Sequence, residues 1–491
     1  MTLSSVVAAS DVLVPHSQLY IAGDYVDAAS GETTDVVSPV TGEVIAAVAV
    51  PGREDLDRAV AAAREAQRAW SRVGVWQRAA ILHKVGDLIA AKRDELARLL
   101  TLEQGKPLTE SYADIDETAQ LFHLHSEDAV RLHGETLPAN DTHKRMWTFY
   151  QGVGTWAIVI PWNFPVLMFS EFAAPGLATG NALVVKPPTH TPLTLLATVE
   201  VLEEAGVPAG LVSILPGEGA FGADLVSHPG IDAIGFIGSS ATAEKIVATA
   251  GLKRSIIEAS GNGPVVVLDD ADVEAAARAA VRGAYYNAGQ VCCATGRVLV
   301  ASSVRERFVE AARAAAQEAV LGDPFHAATT LGPMNNHATA SKVDAHLAEA
   351  RERGFEIVVG GGRAAGFPTD LYYDFTVVDG VAPDALLSVA ETFGPVVPII
   401  SADTDDELLR IANDDALGLQ GAVFTKDLSR AYRFVEQMRT GQVIVNDSNG
   451  FWDINMPFGG VGGSRTGWGR IGGKHTLLDM SDLRTGVIHL D

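Results

Sequence analysis

A chain of 491 residues, 47% hydrophobic and with 48 glycines, has room for two or three globular domains joined through many tight turns. Its formal charge of -24 is spread without a block of like charges, which argues against nucleic acid or an anionic membrane as partner, since both call for lysine and arginine in excess. No apolar stretch approaches the roughly 20 residues that cross a bilayer, and no basic cluster precedes an apolar run in the first fifteen residues, so neither a membrane span nor a secretory leader is expected.

In chain order, residues 1–16 read as a loose arm, followed by strand-like pieces at 19–25 and 34–50. Apolar residues three and four apart then predict amphipathic helices over 54–70 and 76–103, with a third from 108 to about 132. From Thr155 the pattern changes to short β-branched runs alternating with helical ones. Strands are expected at 155–160, 182–186, 212–215, 233–236 and 255–258, with helices starting near Pro165, Pro192, Gly219 and Ser240. A second set starts at Val265, with strands near Val298 and at 396–400, 422–425 and 442–445, and helices at 305–320, 405–413 and 429–438. The fold class predicted is α/β, two doubly wound Rossmann-like domains with a cleft between them. Ligands of such sheets bind beyond the carboxyl ends of the strands, which singles out 161–164, 186–189, 217–219, 238–240 and Glu258.

The only two cysteines, Cys292 and Cys293, are adjacent, so a strain-free disulfide between them is not available and both are expected to be thiols. Unpaired thiols suit the reducing cytoplasm. The helical pattern of 273–287 can end at Gly289, which puts Cys292 where the chain turns back towards a strand at 297–300. A thiol at such a turn faces a cleft; otherwise both cysteines are small buried hydrophobes.

Other strand ends carry chemistry of their own. Lys186 closes an apolar strand before two prolines, suited to a ribose hydroxyl or phosphate, or simply to the surface. Gly238-Ser239-Ser240 opens a helix whose free N–H groups favour an anion such as a pyrophosphate, although no intact G-x-G-x-x-G is present. Burial of Glu258 after Ile256-Ile257 would raise its pKa towards that of a general base; a salt-bridged glutamate is the alternative. Asn163, in Pro161-Trp-Asn-Phe-Pro165, offers one amide donor in a rigid apolar turn, as an oxyanion hole requires and as ordinary turns also use.

Taken together, Pro161-Trp-Asn-Phe-Pro165, Lys186-Pro-Pro with Thr191-Pro192, Phe236-Ile-Gly-Ser239, Glu258, Gly289-Gln-Val-Cys292, Glu391-Thr-Phe-Gly-Pro395 and Pro457-Phe-Gly-Gly460 resemble the aldehyde dehydrogenase superfamily of the non-acylating type. The resemblance runs from about Tyr20 to the carboxyl terminus. It implies NAD- or NADP-dependent oxidation of an aldehyde to its carboxylic acid, with Cys292 as nucleophile, Asn163 and the Cys292 N–H as oxyanion donors, and Glu258 as base for thioester hydrolysis. Relatives that pass the acyl group to coenzyme A generally lack this glutamate. For the dinucleotide the resemblance implies Ile160, Pro161, Trp162, Lys186, Thr189, Gly219, Phe236, Gly238, Ser239, Glu391 and Phe393; no metal is called for. Many NAD-preferring members carry glutamate at the position of Thr189, so a neutral residue there predicts that NADP is tolerated.

The departures are Glu258-Ala259-Ser260-Gly261 in place of Glu-Leu-Gly-Gly, Ala390 where a glutamate is usual, and Ile237 where a small or polar residue is usual. By position, Glu117, Phe164, Met168, Glu171, Tyr286, Phe451 and Phe458 would line the aldehyde tunnel, with Glu171 standing where Trp or Arg is frequent. Two carboxylates among aromatics, with Asp453 nearby, suit a cationic or hydroxylated aldehyde better than an acidic semialdehyde; an aromatic aldehyde is a further alternative. The implied domains are 1–130 with 150–260 for the dinucleotide, 261–463 for catalysis, and 131–149 with 478–491 as an oligomerisation arm of a homodimer or homotetramer.

Overall fold

The computed structural model describes residues 12–491. Its first sheet has eight strands, five of them a parallel core. Across the sheet these run Arg254–Ala259, Ala233–Gly238, Thr155–Val159, Ala182–Lys186 and Val212–Ile214. Thr155–Val159 and Ala182–Lys186 are buried throughout, which is why they are near-continuous apolar runs and do not alternate. Leu19–Ile21 and Asp24–Val26 extend one edge antiparallel, and Gly467–Trp468 extends the other. Strand order reverses between Thr155–Val159 and Ala233–Gly238, opening a crevice beyond their carboxyl ends. Two helices packed on this sheet, Pro165–Thr179 and Leu193–Ala205, stop at Gly180 (φ 93°) and Gly206 (φ 101°), left-handed caps that cost glycine little.

The second sheet has seven strands in the order Glu356–Val359, Thr376–Asp379, Val396–Ala402, Thr295–Ala301, Gly263–Val267, Gln420–Phe424 and Gln442–Val445, parallel except for the first. A separate apolar core lies beneath each of these sheets. A third, three-stranded antiparallel sheet joins Ser481–His489, Lys144–Gly152 and Thr136–Leu137.

Several expectations change. The helix expected over 76–103 is two, Val75–Ala91 and Arg93–Gln104, because Lys92 leaves helical geometry and Asp94 and Glu95 supply the negative first turn of a new helix. The helix of 305–320 ends at Ala316. Helix His337–Glu352 and strands Glu356–Val359 and Thr376–Asp379 were not expected from the pattern. Of the arm expected at 1–16, residues 1–11 lie outside the described residues; of the remainder Leu13 is exposed, while Val12 is buried and His16 is stacked on Tyr25 and hydrogen-bonded to Glu200. Gly467–Trp468 returns the chain to the first sheet, pairing Gly467 with Glu258.

Candidate active site

Helix Val273–Tyr285 begins at Asp272, whose carboxylate accepts the Ala275 N–H at 3.0 Å, and it delivers the chain to a tight turn at 286–289. Asn287 (φ 49°) and Ala288 (φ 54°) are left-handed, and Gly289 follows at φ 73°. A Cβ on Gly289 would fall 2.2 Å from the Gly394 carbonyl oxygen, so a side chain has no room. The unfavourable backbone is held from several sides: Gln104 Nε2 donates to Asn287 Oδ1 (2.9 Å), Glu110 accepts the Asn287 N–H (2.8 Å), and Asn287 Nδ2 donates to the Asn163 carbonyl (3.1 Å). Gln290 closes the turn, giving its Nε2–H to Asn287 O (2.9 Å) and taking the Asn335 N–H on Oε1 (2.9 Å). Beyond Cys292, Asn449 Nδ2 fastens the carbonyls of Cys293 and Ala294, at 3.1 Å each, before strand Thr295–Ala301 begins.

Cys292, Glu258 and Asn163 all line one cavity of about 570 Å³. Cys292 is partly exposed in it, whereas Cys293 is buried. The neighbouring Cys293 side chain and burial push the Cys292 thiol well above its usual range, and Glu258 works in the opposite direction. Glu258 is itself buried and raised well above the carboxylate range, first by burial, then by negative charge at Cys292 and by Glu391 and Glu171. Glu258 is paired with Ile237 on one side and Gly467 on the other and its strand continues to Ala259, so Ala259-Ser260 leaves Glu258 in a regular ladder. Glu258 Oε1 has no hydrogen-bond partner. Asn163 Nδ2 gives one hydrogen to the Gln290 carbonyl (2.9 Å), which fixes the amide plane and leaves the second hydrogen free; its Oδ1 has no partner.

Of the residues expected to hold the dinucleotide, Pro161, Trp162, Gly238, Ser239, Glu391 and Phe393 line the same cavity. Ile160 and Phe236 are buried at their strand ends, the Phe236 ring packed under Gly238. Lys186, Thr189 and Gly219 stand at the neighbouring strand ends and do not line it. Lys186 is buried, its Nζ donating to the Gly217 carbonyl at 2.6 Å, and burial brings its pKa down to about 8. Ser239 caps helix Ser240–Ala250 by accepting the Thr242 N–H. Glu391 Oε1 accepts the Gly261 N–H at 3.0 Å, and burial raises its pKa while Lys342 opposes.

On the expected aldehyde side, Glu117, Phe164, Met168, Tyr286, Phe451 and Phe458 line the cavity, with the Phe164 and Tyr286 rings stacked. Glu171 does not: it is fully buried and accepts the Gly472 N–H at 3.1 Å, and burial pushes it up to about 8. Residues not anticipated are Thr339 and Lys342 from helix His337–Glu352, together with Leu167, Val291, Trp452 and Ile471. Among the described residues one grouping of metal-ligand type, His83, Asp87 and His123, is partly exposed on two helices and lines no part of this cavity.

Residues 25–485 match the aldehyde dehydrogenase family model. The chain belongs to the aldehyde dehydrogenase family. It is 36% identical over 471 residues to the mitochondrial succinate-semialdehyde dehydrogenase of Arabidopsis thaliana, covering 95% of this chain and 88% of that one. The NADP+-dependent succinate-semialdehyde dehydrogenase of Escherichia coli is 34% identical, covering 96% and 98%. Betaine aldehyde dehydrogenase of Staphylococcus aureus, solved in complex with NAD+, superposes with a TM-score of 0.94 at 33% identity over 97% of this chain and 95% of that one. This aldehyde dehydrogenase is therefore an oxidoreductase acting on aldehyde groups with NAD or NADP, built on two Rossmann-like domains.

The crevice residues fit a dinucleotide. Among the described residues the Lys186 ammonium donates to the carbonyls of Pro187 and Gly217, pairs with no carboxylate and is available to hydroxyls or phosphate. Helix Ser240–Ala250 points its N-terminus at the cavity edge where Ser239 lies, a setting that favours an anion.

Proposed function

We propose that this aldehyde dehydrogenase converts an aldehyde to its carboxylic acid through a thioester on Cys292. The observation that carries this reading is the convergence of Cys292, Glu258 and Asn163 on one cavity, with Glu258 Oε1 unpartnered. The Cys292 thiol, whose ionisation Glu258 favours, gives its proton to solvent, and the thiolate attacks the aldehyde carbon. The free Asn163 N–H and the Cys292 backbone N–H hold the oxyanion of the resulting thiohemiacetal. A dinucleotide held by the crevice residues would supply the acceptor for the hydride that leaves that carbon. Once it has lost its proton to solvent, Glu258 draws one from a water, whose oxygen adds to the thioester, releasing the carboxylate and the sulfur. A requirement for coenzyme A in turnover would replace this hydrolysis with acyl transfer.

The chain divides in this reading into a dinucleotide domain of 1–130 and 150–260, a catalytic domain of 261–463, and an arm of 131–149 and 478–491. Trp147, Phe149, Leu483, Val487 and Ile488 are exposed on the arm, which supports its burial against another copy in a cytoplasmic homodimer or homotetramer. No helix among the described residues is long and apolar enough to cross a membrane.

For the substrate we take a cationic or hydroxylated aldehyde. The relatives named above act on succinate semialdehyde and on betaine aldehyde, an acid and a cation. Of the cavity-lining residues around Phe164, Met168, Tyr286, Phe451 and Trp452 the charged one is Glu117, whose pKa burial and Asp114 raise to about 7; Lys106, over the Phe164 ring at 3.7 Å from its centroid, opposes that rise but is itself paired with the buried Asp114 at 2.9 Å. The cavity's lysine, Lys342, belongs to its other side, with Glu391 and Phe393. A quaternary ammonium aldehyde keeps its charge at every pH, so its kcat/KM relative to succinate semialdehyde should rise as pH passes upward through 7 and Glu117 ionises. Glu117→Gln should flatten that rise, costing the cation about tenfold at pH 8. A preference for succinate semialdehyde across the range would refute the charge argument.

A further inference from the structure

Thr189 is neutral where many NAD-preferring relatives carry glutamate, yet the site does not lack a carboxylate. The Thr189 hydroxyl donates to Glu218 Oε1 at 2.6 Å. Glu218 precedes helix Gly219–Ser227 as its N-cap, but its side chain makes no capping bond to that helix and turns to Thr189 instead. The residue before it, Gly217, receives the Lys186 ammonium at 2.6 Å, and the Glu218 charge favours the ionised forms of both Lys186 and His190. Lys186, Thr189 and Glu218 therefore form one cluster across the ends of strands Ala182–Lys186 and Val212–Ile214.

Resting on the crevice being the dinucleotide site, we propose that Glu218 supplies the ribose-reading carboxylate missing at position 189 and makes this enzyme select NAD+ over NADP+. A carboxylate beside a lysine accepts ribose hydroxyls; a 2′-phosphate would bring a dianion against it. Lys186 alone cannot offset this, since burial already disfavours its charge and Glu218 already neutralises part of it. The neutral threonine thus serves as a holder for an acid that reaches the site from the next strand's loop.

The test is equilibrium binding of NAD+ and of NADP+, followed by calorimetry or by quenching of tryptophan fluorescence, with no aldehyde present. The unaltered protein should bind NAD+ at least about tenfold more tightly, and Glu218→Gln should remove most of that ratio by strengthening NADP+. Glu218→Lys should invert it. Equal affinities in the unaltered protein, or a ratio that neither variant moves, would overturn the inference. Failure of the unaltered protein to bind either dinucleotide would instead overturn the proposed function.

Discussion

In the proposed reaction, Asn163 shows how one hydrogen bond can define an oxyanion donor. Its Nδ2 has two hydrogens, and the Gln290 carbonyl takes one at 2.9 Å, so the amide cannot rotate without breaking that contact. The second hydrogen is then fixed in direction before any substrate arrives, which is the preorganisation that makes an oxyanion donor effective. Asn163→Ala should lower kcat by about 10²- to 10³-fold with little change in KM, measured with a fast aldehyde under saturating dinucleotide. A loss confined to KM would show instead that the amide only binds substrate. Glu258 differs in kind: nothing satisfies its Oε1, and its raised pKa follows from burial and from the charges around it. Both residues could be named from the chain because each sits in a short local motif.

The turn at 286–291 is the element on which the sulfur depends. Alanine at φ 54° is unfavourable, and so the bonds from Gln104, Glu110 and Asn335 must outweigh that cost. Gly289→Ala would place a Cβ 2.2 Å from Gly394 O and 3.0 Å from Ala284 O. It should destabilise the protein by roughly 2 kcal/mol or more and abolish activity, as read by denaturant unfolding and initial rates. A variant of ordinary stability and rate would mean the turn has slack that its contacts do not show.

The strands of the first sheet were legible because buried β-branched runs alternate there with helices that open at Pro165, Gly219 and Ser240, the first and last of them closing at Gly180 and Gly251. The left-handed Ala288 was not, since no residue type announces it. Helix His337–Glu352, which brings Thr339 and Lys342 to the cavity, has too mixed a face to stand out from its surroundings. Glu171 misled for a related reason: its partner, the Gly472 N–H, lies 301 residues away, and only the folded chain reveals that this carboxylate is buried against backbone and does not face the cavity. Glu218 carries no signal in the chain because its side-chain bond is to Thr189, 29 residues before it.

At the scale of the whole molecule, function follows from which edges of the two sheets meet. Glu258 comes from the carboxyl end of Arg254–Ala259 in the first sheet, while Cys292 precedes the amino end of Thr295–Ala301 in the second. The rule that ligands bind beyond strand carboxyl ends therefore holds for one domain and locates only half of the site. Direct bonds join the two halves: Asn163 Nδ2 to the Gln290 carbonyl at 2.9 Å, Asn287 Nδ2 to the Asn163 carbonyl at 3.1 Å and Gln104 Nε2 to Asn287 Oδ1 at 2.9 Å. A Cβ on Gly261 would fall 2.2 Å from the Cys292 carbonyl oxygen, so the base and the sulfur are held against each other by backbone.

The division of labour across that seam is tested most directly by mixing Glu258→Gln protein with NAD+ and an aldehyde and measuring intact mass within one turnover. An acyl group should accumulate on Cys292 while a burst of reduced cofactor is followed by a steady rate at least about 10²-fold below that of the unaltered enzyme. A steady rate left unchanged, or a burst with no mass added to that sulfur, would contradict the account.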